Sequence, residues 1–226
     1  MRILAVDTNS FAGSVALLEN RRLLAEINLD SPRTHSERLL SAVDLALSSH
    51  DIALGDLDGF ALAVGPGSFT GIRIGMSTVK SFAMATGRPI APVSGLAALA
   101  FKLRKPRGRL LCPLFDARKQ EVYGALYEYG DRGLEEIVAQ GVYSPDQLFS
   151  LLPPQRVIHF LGTGVTPYRE TIRAYFKDRA RFPQRSLYIG HEIGLLGLDR
   201  LSAGRGVDHR TVEPLYLRKS QAEENR

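Results

Sequence analysis

Apolar and polar positions change period along this chain, and the changes mark its elements. Ile3-Leu4-Ala5-Val6 is an apolar run of strand length that stops at Asp7-Thr8-Asn9-Ser10. Gly13 to Leu18 and Leu23 to Leu29 follow, separated by the turn residues Asn20-Arg21, so the chain opens as a three-stranded meander. The period then lengthens: Leu39, Leu40, Val43, Ala46 and Leu47 fall at helical spacing, and Thr34 with Glu37 has the spacing of a capping box. A first helix is predicted over 36–49, with His35 at its mouth.

Phe60 to Val64 is again strand-like, Gly65-Pro66-Gly67 breaks it, and an uninterrupted helical pattern runs from Gly71 to Ala85 with Ser68 as its cap. Ile72, Met76, Val79 and Ala83 line one face of this helix, while Ile74, Phe82 and Ala85 widen the stripe toward another. A helix apolar over so much of its circumference is buried on more than one side, inside its own domain or against another chain. Gly71 and Gly75 would let a neighbour approach closely. Pro89 to Val93 is the next strand, and Ser94 caps a helix carrying Leu96, Leu99, Ala100 and Leu103.

The second half repeats the opening: strand 110–115, the turn Asp116-Ala117-Arg118-Lys119, strand 121–129 and strand 134–139. Ser144-Pro145 starts a helix, Val157 to Leu161 leads into Gly162-Thr163-Gly164, further helices are predicted over 167–176 and 190–202, and 214–218 is extended. Lys105-Pro106-Arg107-Gly108 reads as a boundary, giving domains 1–105 and 106–226, with the last segment a candidate to return to the first.

Composition narrows the class. With 226 residues, 44% of them hydrophobic, the chain can bury a core, and no apolar run approaches the ~20 residues that span a bilayer. A single cysteine, Cys112, excludes an internal disulfide framework, and the N-terminus enters a strand without a signal-peptide core; a cytoplasmic protein is expected. The net charge of +5 is unevenly placed. Between Asp58 and Asp116 every charge is positive: Arg73, Lys80, Arg88, Lys102, Arg104, Lys105, Arg107 and Arg109. Such a block attracts phosphates or an acidic protein surface, and direct contact of Arg73 to Arg109 with tRNA stays open.

The glycine-rich turn invites three chemistries and matches none. A phosphate loop needs a shorter Gly spacing and a Lys where Ile72 stands. The dinucleotide fingerprint needs an acid within some twenty residues, and the nucleophile elbow needs Gly two residues on either side of Ser68. Asp7-Thr8 could meet a phosphate or its Mg²⁺, or form an ordinary Asx turn. His35, His50, His159, His191 and His209 are isolated, with no metal pair at helical spacing.

Two halves that each open as a meander with an Asp-containing turn resemble the actin, hexokinase and Hsp70 ATPase superfamily, which implies an α/β fold of duplicated actin-like (ASKHA, ribonuclease H-like) domains, each a β-meander plus mixed sheet flanked by helices. More narrowly, Asp7-Thr8, Thr34-His35-Ser36-Glu37, Gly65 to Gly75, Pro92-Val93-Ser94-Gly95, Asp116-Ala117-Arg118 and Tyr216-Leu217-Arg218 resemble the TsaB (YeaZ) family over nearly the full chain. The resemblance implies a role in forming threonylcarbamoyladenosine beside the tRNA anticodon, as a noncatalytic scaffold or activator of the enzyme TsaD, with a TsaE-like ATPase as further partner. TsaD follows its Pro-Val with a metal-binding His pair at i and i+4; the matching positions here are Gly95 and Leu99, so no metal and no catalytic residue is expected. The implied partner surface is the two helices, with His35, Glu37, Leu39, Val43, Arg73, Gly75, Met76, Val79 and Lys80 as candidates and a homodimer in the partner's absence. Asp7, Thr8 and Asp116 are candidate nucleotide contacts. No cofactor is required by this chain alone, ATP or ADP is a candidate in the complex, tRNA is reached through the complex, and no membrane is involved. The alternative is a stand-alone Mg-ATP-dependent actin-like phosphotransferase or hydrolase using Asp7 and Asp116.

Overall fold

A computed structural model describes residues 1–29 and 35–218, apart from the side chains of 35–37. The chain divides into two compact units: Met1–Gly95 with Tyr188–Leu215, and Leu96–Leu187 with the segment starting at Tyr216. The Pro-Gly break at Lys105-Pro106-Arg107-Gly108 lies ten residues beyond this division, and Tyr188–Leu215, inside the 106–226 span, groups with the first unit.

In the first unit, β1 (Arg2–Asp7), β2 (Gly13–Glu19) and β3 (Arg22–Leu29) form the expected meander. Helix α1 (His35–Ser48) follows, then β4 (Gly59–Ala63), α2 (Phe69–Thr86) and β5 (Ile90–Val93). The strand order is β3-β2-β1-β4-β5. β1 runs antiparallel to β2, with Ala5 opposite Ala16, and parallel to β4, with Ala5 opposite Ala61. These inner strands are buried almost end to end, because helices cover both faces of the sheet, so their apolar runs do not alternate. One face sets Leu4, Val6, Leu17, Phe60 and Leu62 in a cluster with Leu39 and Val43 of α1 and Met76 and Val79 of α2. Full burial of each such side chain stabilises by roughly 1.5–3 kcal/mol. The other face carries α6 (Gly190–Ser202), whose Gly194 lies on the Leu18 side chain and whose Gly197 lies on Ala61 and Ala91, too close to Ala61 for a side chain.

The second unit begins within α3 (Gly95–Phe101) and repeats the topology with β6 (Leu110–Asp116), β7 (Val122–Gly130), β8 (Gly133–Tyr143), α4 (Pro145–Leu151), β9 (Ile158–Leu161), α5 (Val165–Phe176) and β10 (Ala180–Arg181). The order β8-β7-β6-β9-β10, with β6 antiparallel to β7 and parallel to β9, is that of the first sheet element for element. Its core joins Phe149, Phe160 and Phe176 with ring centroids 5.2–6.4 Å apart, a geometry worth about 0.5–1.5 kcal/mol per pair beyond area. The expected extended piece at 214–218 is not a strand, although Leu215 N–H donates to Val64 C=O at 2.7 Å. The two-residue β10 carries no hydrophobic period and was not foreseen.

Candidate functional site

Each sheet ends its first strand in an aspartate. In the first unit Asp7 is 1% exposed, its Oδ1 accepts the Asn9 N–H at 2.9 Å, and burial pushes its carboxyl up to about 7 against that hydrogen bond. Thr8, fully buried, donates from Oγ1 to Gly71 C=O at 2.7 Å, and Asn9 C=O accepts Ser68 N–H at 2.7 Å. Helix α2 therefore starts flush against this turn. Ser68 is its N-cap, accepting Gly71 N–H at 3.2 Å, and a Cβ on Gly71 or Gly75 would collide with Thr8 O or Thr8 Oγ1. The neighbour that Gly75 makes room for is internal.

In the second unit Asp116 is exposed. Its N–H donates to Thr163 Oγ1 at 3.2 Å and its Oδ1 accepts Arg118 N–H at 2.9 Å. The turn continues through Arg118, Lys119 and Gln120, all left-handed with φ of 61°, 50° and 61°, a conformation that costs L-residues roughly 1–2 kcal/mol each. Arg218 holds it: Nη1 donates to Ala117 C=O at 2.8 Å and the guanidinium pairs with Glu121. Neither Thr163 nor Arg218 stood out among the sequence candidates for this turn.

Behind the turn, Gly162-Thr163-Gly164 opens α5. A cavity of ≈ 490 Å³ lies beside it, lined among others by Gly162, Val165, Arg169, Phe182 and Arg185, with the Arg169 guanidinium 4.6 Å from the Phe182 ring. Each aspartate accepts the N–H two residues on through its Oδ1, and the two differ in access: the Asp116 carboxylate reaches solvent, and the Asp7 carboxyl is sealed. Among the described residues no three His, Cys, Asp or Glu side chains converge as metal ligands. Gly95, whose N–H donates to Gly65 C=O at 2.8 Å, and Leu99, 1% exposed, occupy successive turns of α3.

The two helices require a correction to the expected partner surface. Leu39, Val43, Met76 and Val79 are core residues of the first unit, and Gly75 is buried against Thr8. What α1 and α2 leave exposed are single apolar side chains, Leu40 at 59%, Leu45 at 54% and Met84 at 66%, while Ile74 and Phe82 are half-buried and pack against the core. The spacing of Ile72, Met76, Val79 and Ala83 marks one face of α2, but the pattern alone cannot say whether that face meets its own sheet or another chain. Arg73 is exposed and stacks 3.7 Å above the Phe69 ring, and Lys80 is half-buried. His35 lies in α1 with Glu37, their side chains outside the described residues, as is the whole of Thr34 and with it the capping box.

The positive block likewise divides. Arg73, Lys80 and Arg88 belong to the first unit, Lys102 to Arg109 to the second, where Arg107 pairs with Asp131 and Arg104 stacks on Phe101 at 4.4 Å. No helix among the described residues is long and apolar enough to cross a membrane.

Comparison with known proteins converges on one family. The family model described as TsaD, tRNA N6-adenosine threonylcarbamoyltransferase, matches residues 24–226. The tRNA threonylcarbamoyladenosine biosynthesis protein TsaB of Bacillus subtilis is 34% identical over 99% of this chain and 96% of its own length. The solved structure of YeaZ from Pseudomonas aeruginosa superposes with a TM-score of 0.80 at 30% identity, covering 96% of this chain and 99% of that one. An activator of 2-hydroxyisocaproyl-CoA dehydratase from Clostridium difficile, with bound ADPNP, shares the fold alone, with a TM-score of 0.53 at 11% identity over 96% of this chain and all of that one.

Proposed function

The chain belongs to the TsaB/YeaZ family, and from that premise we propose that it serves threonylcarbamoyladenosine formation in tRNA as a noncatalytic subunit that supports a TsaD-like transferase. The observation that carries this reading is the set of large apolar side chains that α1 and α2 leave exposed. Leu40, Leu45 and Met84 stand more than half exposed on helices whose inward apolar face fills the core. Apolar surface of this kind favours burial against a partner, flanked here by Arg73 and Lys80. Gly95 and Leu99 support the noncatalytic half of the proposal, since neither can ligate a metal at the two positions where the resemblance places the transferase's ligands.

Reconstitution tests it. The chain should form a complex with a TsaD-like protein and stimulate tRNA modification when a TsaE-like ATPase and the activated threonylcarbamoyl donor are supplied. Leu45→Glu with Met84→Glu should weaken that complex by about 30-fold or more, equivalent to loss of a ~2 kcal/mol anchor, and leave the thermal midpoint near that of the parent. Modification of tRNA by the purified chain alone would overturn the noncatalytic assignment. A second reading, a Mg-ATP-dependent phosphotransferase, is favoured by Asp116 beside the Gly162 cavity. Calorimetry with Mg-ATP on the isolated chain separates the two, because tight binding lost on Asp116→Ala would support the enzyme.

A further inference from the structure

The charge of this protein is divided between its units as sharply as its fold is shared. Residues 96–187 and 216–226 hold 18 Lys and Arg against 11 Asp and Glu; residues 1–95 and 188–215 hold 11 against 13. The whole positive excess of the chain therefore lies in the second unit.

Within that unit the parallel strands β6, β9 and β10 gather part of this charge at their N-terminal ends. Register places Leu111 opposite His159 and His159 opposite Arg181, so His159 and Arg181 are neighbours on one face of adjacent strands about 4.8 Å apart. Arg109, two residues before Leu111, falls on the same face by strand alternation, and its Nη1 donates to Lys105 C=O at 3.3 Å. Burial first, and then the charges of Arg109 and Arg181, hold the His159 imidazole below its usual range, which puts both guanidinium groups within electrostatic reach of that ring.

Four other cations of the unit are matched by carboxylates close by. Arg107 pairs with Asp131, Arg132 with Glu135, Arg156 with Glu128 and Arg173 with Glu170. Lys105, Arg109 and Arg181 have no carboxylate partner among the described residues, and Lys105 and Arg181 are exposed. This end of the sheet is opposite the one that carries Asp116 and Gly162, so the cluster is separate from the candidate nucleotide cavity.

We propose that Lys105, Arg109, His159 and Arg181 form a contact site for the phosphate backbone of RNA on the second unit. Arg109 donates to Lys105 C=O and Arg181 to Asp178 and Ala180 C=O, but no carboxylate balances their charge, so an external polyanion stabilises them, and phosphate neutralisation releases counterions in proportion to the cations engaged. The choice of RNA over an acidic protein rests on the tRNA role proposed above. Lys105 and Arg181 are exposed and supply the charge, and no aromatic stacking platform is needed because the site grips backbone and not bases.

The test uses the full chain and an unmodified tRNA transcript, with binding followed by fluorescence anisotropy from 50 to 200 mM KCl. Affinity should fall steeply with salt, and Arg109→Gln with Arg181→Gln should weaken binding about 10-fold and flatten the log–log salt slope by about 1.5, the share of two phosphate contacts. Arg109→Lys with Arg181→Lys should keep the parent slope. Arg132→Gln with Arg173→Gln removes the same charge from matched positions and should change little. Equal weakening by that control pair would reduce the effect to net charge and overturn the site, as would unchanged binding in the first pair. Binding of polyglutamate in preference to tRNA would assign the cluster to an acidic protein and overturn it as well. Should Arg109→Gln fail to fold, Lys105→Gln with Arg181→Gln carries the same test on exposed positions. Co-purification with the TsaD-like protein is scored on the same variants, so loss of RNA binding with the partner retained fails this proposal alone, and loss of the partner with RNA binding retained fails the earlier one alone.

Discussion

Two turns with one ancestry of shape have been put to opposite uses. Asp7 and Asp116 both end the first strand of a five-stranded sheet with the same strand order, yet one is 1% exposed and the other lies open to solvent. The difference is made by what each turn leans on. The Asp7 turn is clamped by α2, which approaches so closely that only glycine fits at 71 and 75. At the Asp116 turn the start of α5 comes close only at Gly162 and Gly164, against Leu114 and Phe115 ahead of the aspartate, so the turn stays open, accepts three left-handed residues, and is held by Arg218 and Thr163. Identical topology thus fixes where a loop emerges, while the neighbouring helix decides whether the loop becomes core or surface.

The largest effect that would break this contrast is steric. Gly71→Ala drives a Cβ into Thr8 O and should cost about 3 kcal/mol or more, a fall of roughly 6–12 °C in thermal midpoint, whereas Thr163→Ala beside the other turn should cost about 1 kcal/mol. Circular dichroism melts compare them, and equal losses would show that the two turns are equally clamped.

Next comes charge. The folded Asp7 carboxyl keeps its proton up to about 7, against 3.8 for the free side chain, so between pH 4 and 7 the folded chain binds more protons than the unfolded one. Stability should fall as pH rises through that window and stay low above it. Asp7→Asn should flatten the profile and raise stability at pH 8 by roughly 2–4 kcal/mol, while Asp116→Asn leaves the profile unchanged. Denaturant titrations at pH 4, 6 and 8 measure both, and a parent protein with no slope in this range would contradict a sealed Asp7.

Smaller still, Arg218→Ala should release the left-handed turn at a cost of about 2 kcal/mol, with hydrogen exchange accelerating at 117–121 and not at 8–10. The smallest expected effect sharpens the likeness: Ser68→Ala and Ser144→Ala each remove an N-cap and should each cost about 1 kcal/mol.

Hydrophobic period located nearly every element, because strands and helices here carry their own punctuation: Gly65-Pro66-Gly67 ends β4, and Ser144-Pro145 opens α4. The period could not say whether the face of Ile72, Met76, Val79 and Ala83 meets its own domain or another chain, since that is decided by a sheet whose strands lie elsewhere in the sequence. Nor could it see that Asp7 is sealed: a polar Asp-Thr-Asn-Ser run reads as surface until a helix with glycines at two successive turns closes over it. Arg218 escaped for a similar reason, its partners Ala117 and Glu121 lying about a hundred residues upstream.

The position of α6 in the chain has a consequence for synthesis. The five strands of the first sheet are complete at Val93, but the helix that covers the face of Ile3, Ala5, Ala16, Leu18 and Ala61 ends only at Ser202, after the whole of β6 to β10 has been made. At about 5–20 residues per second this leaves an apolar sheet face without its cover for roughly 5–20 s on the ribosome. A nascent chain in that interval is a natural client for a chaperone that binds extended apolar surface, and slowing translation between 95 and 190 should lower the soluble yield more than slowing it before 95.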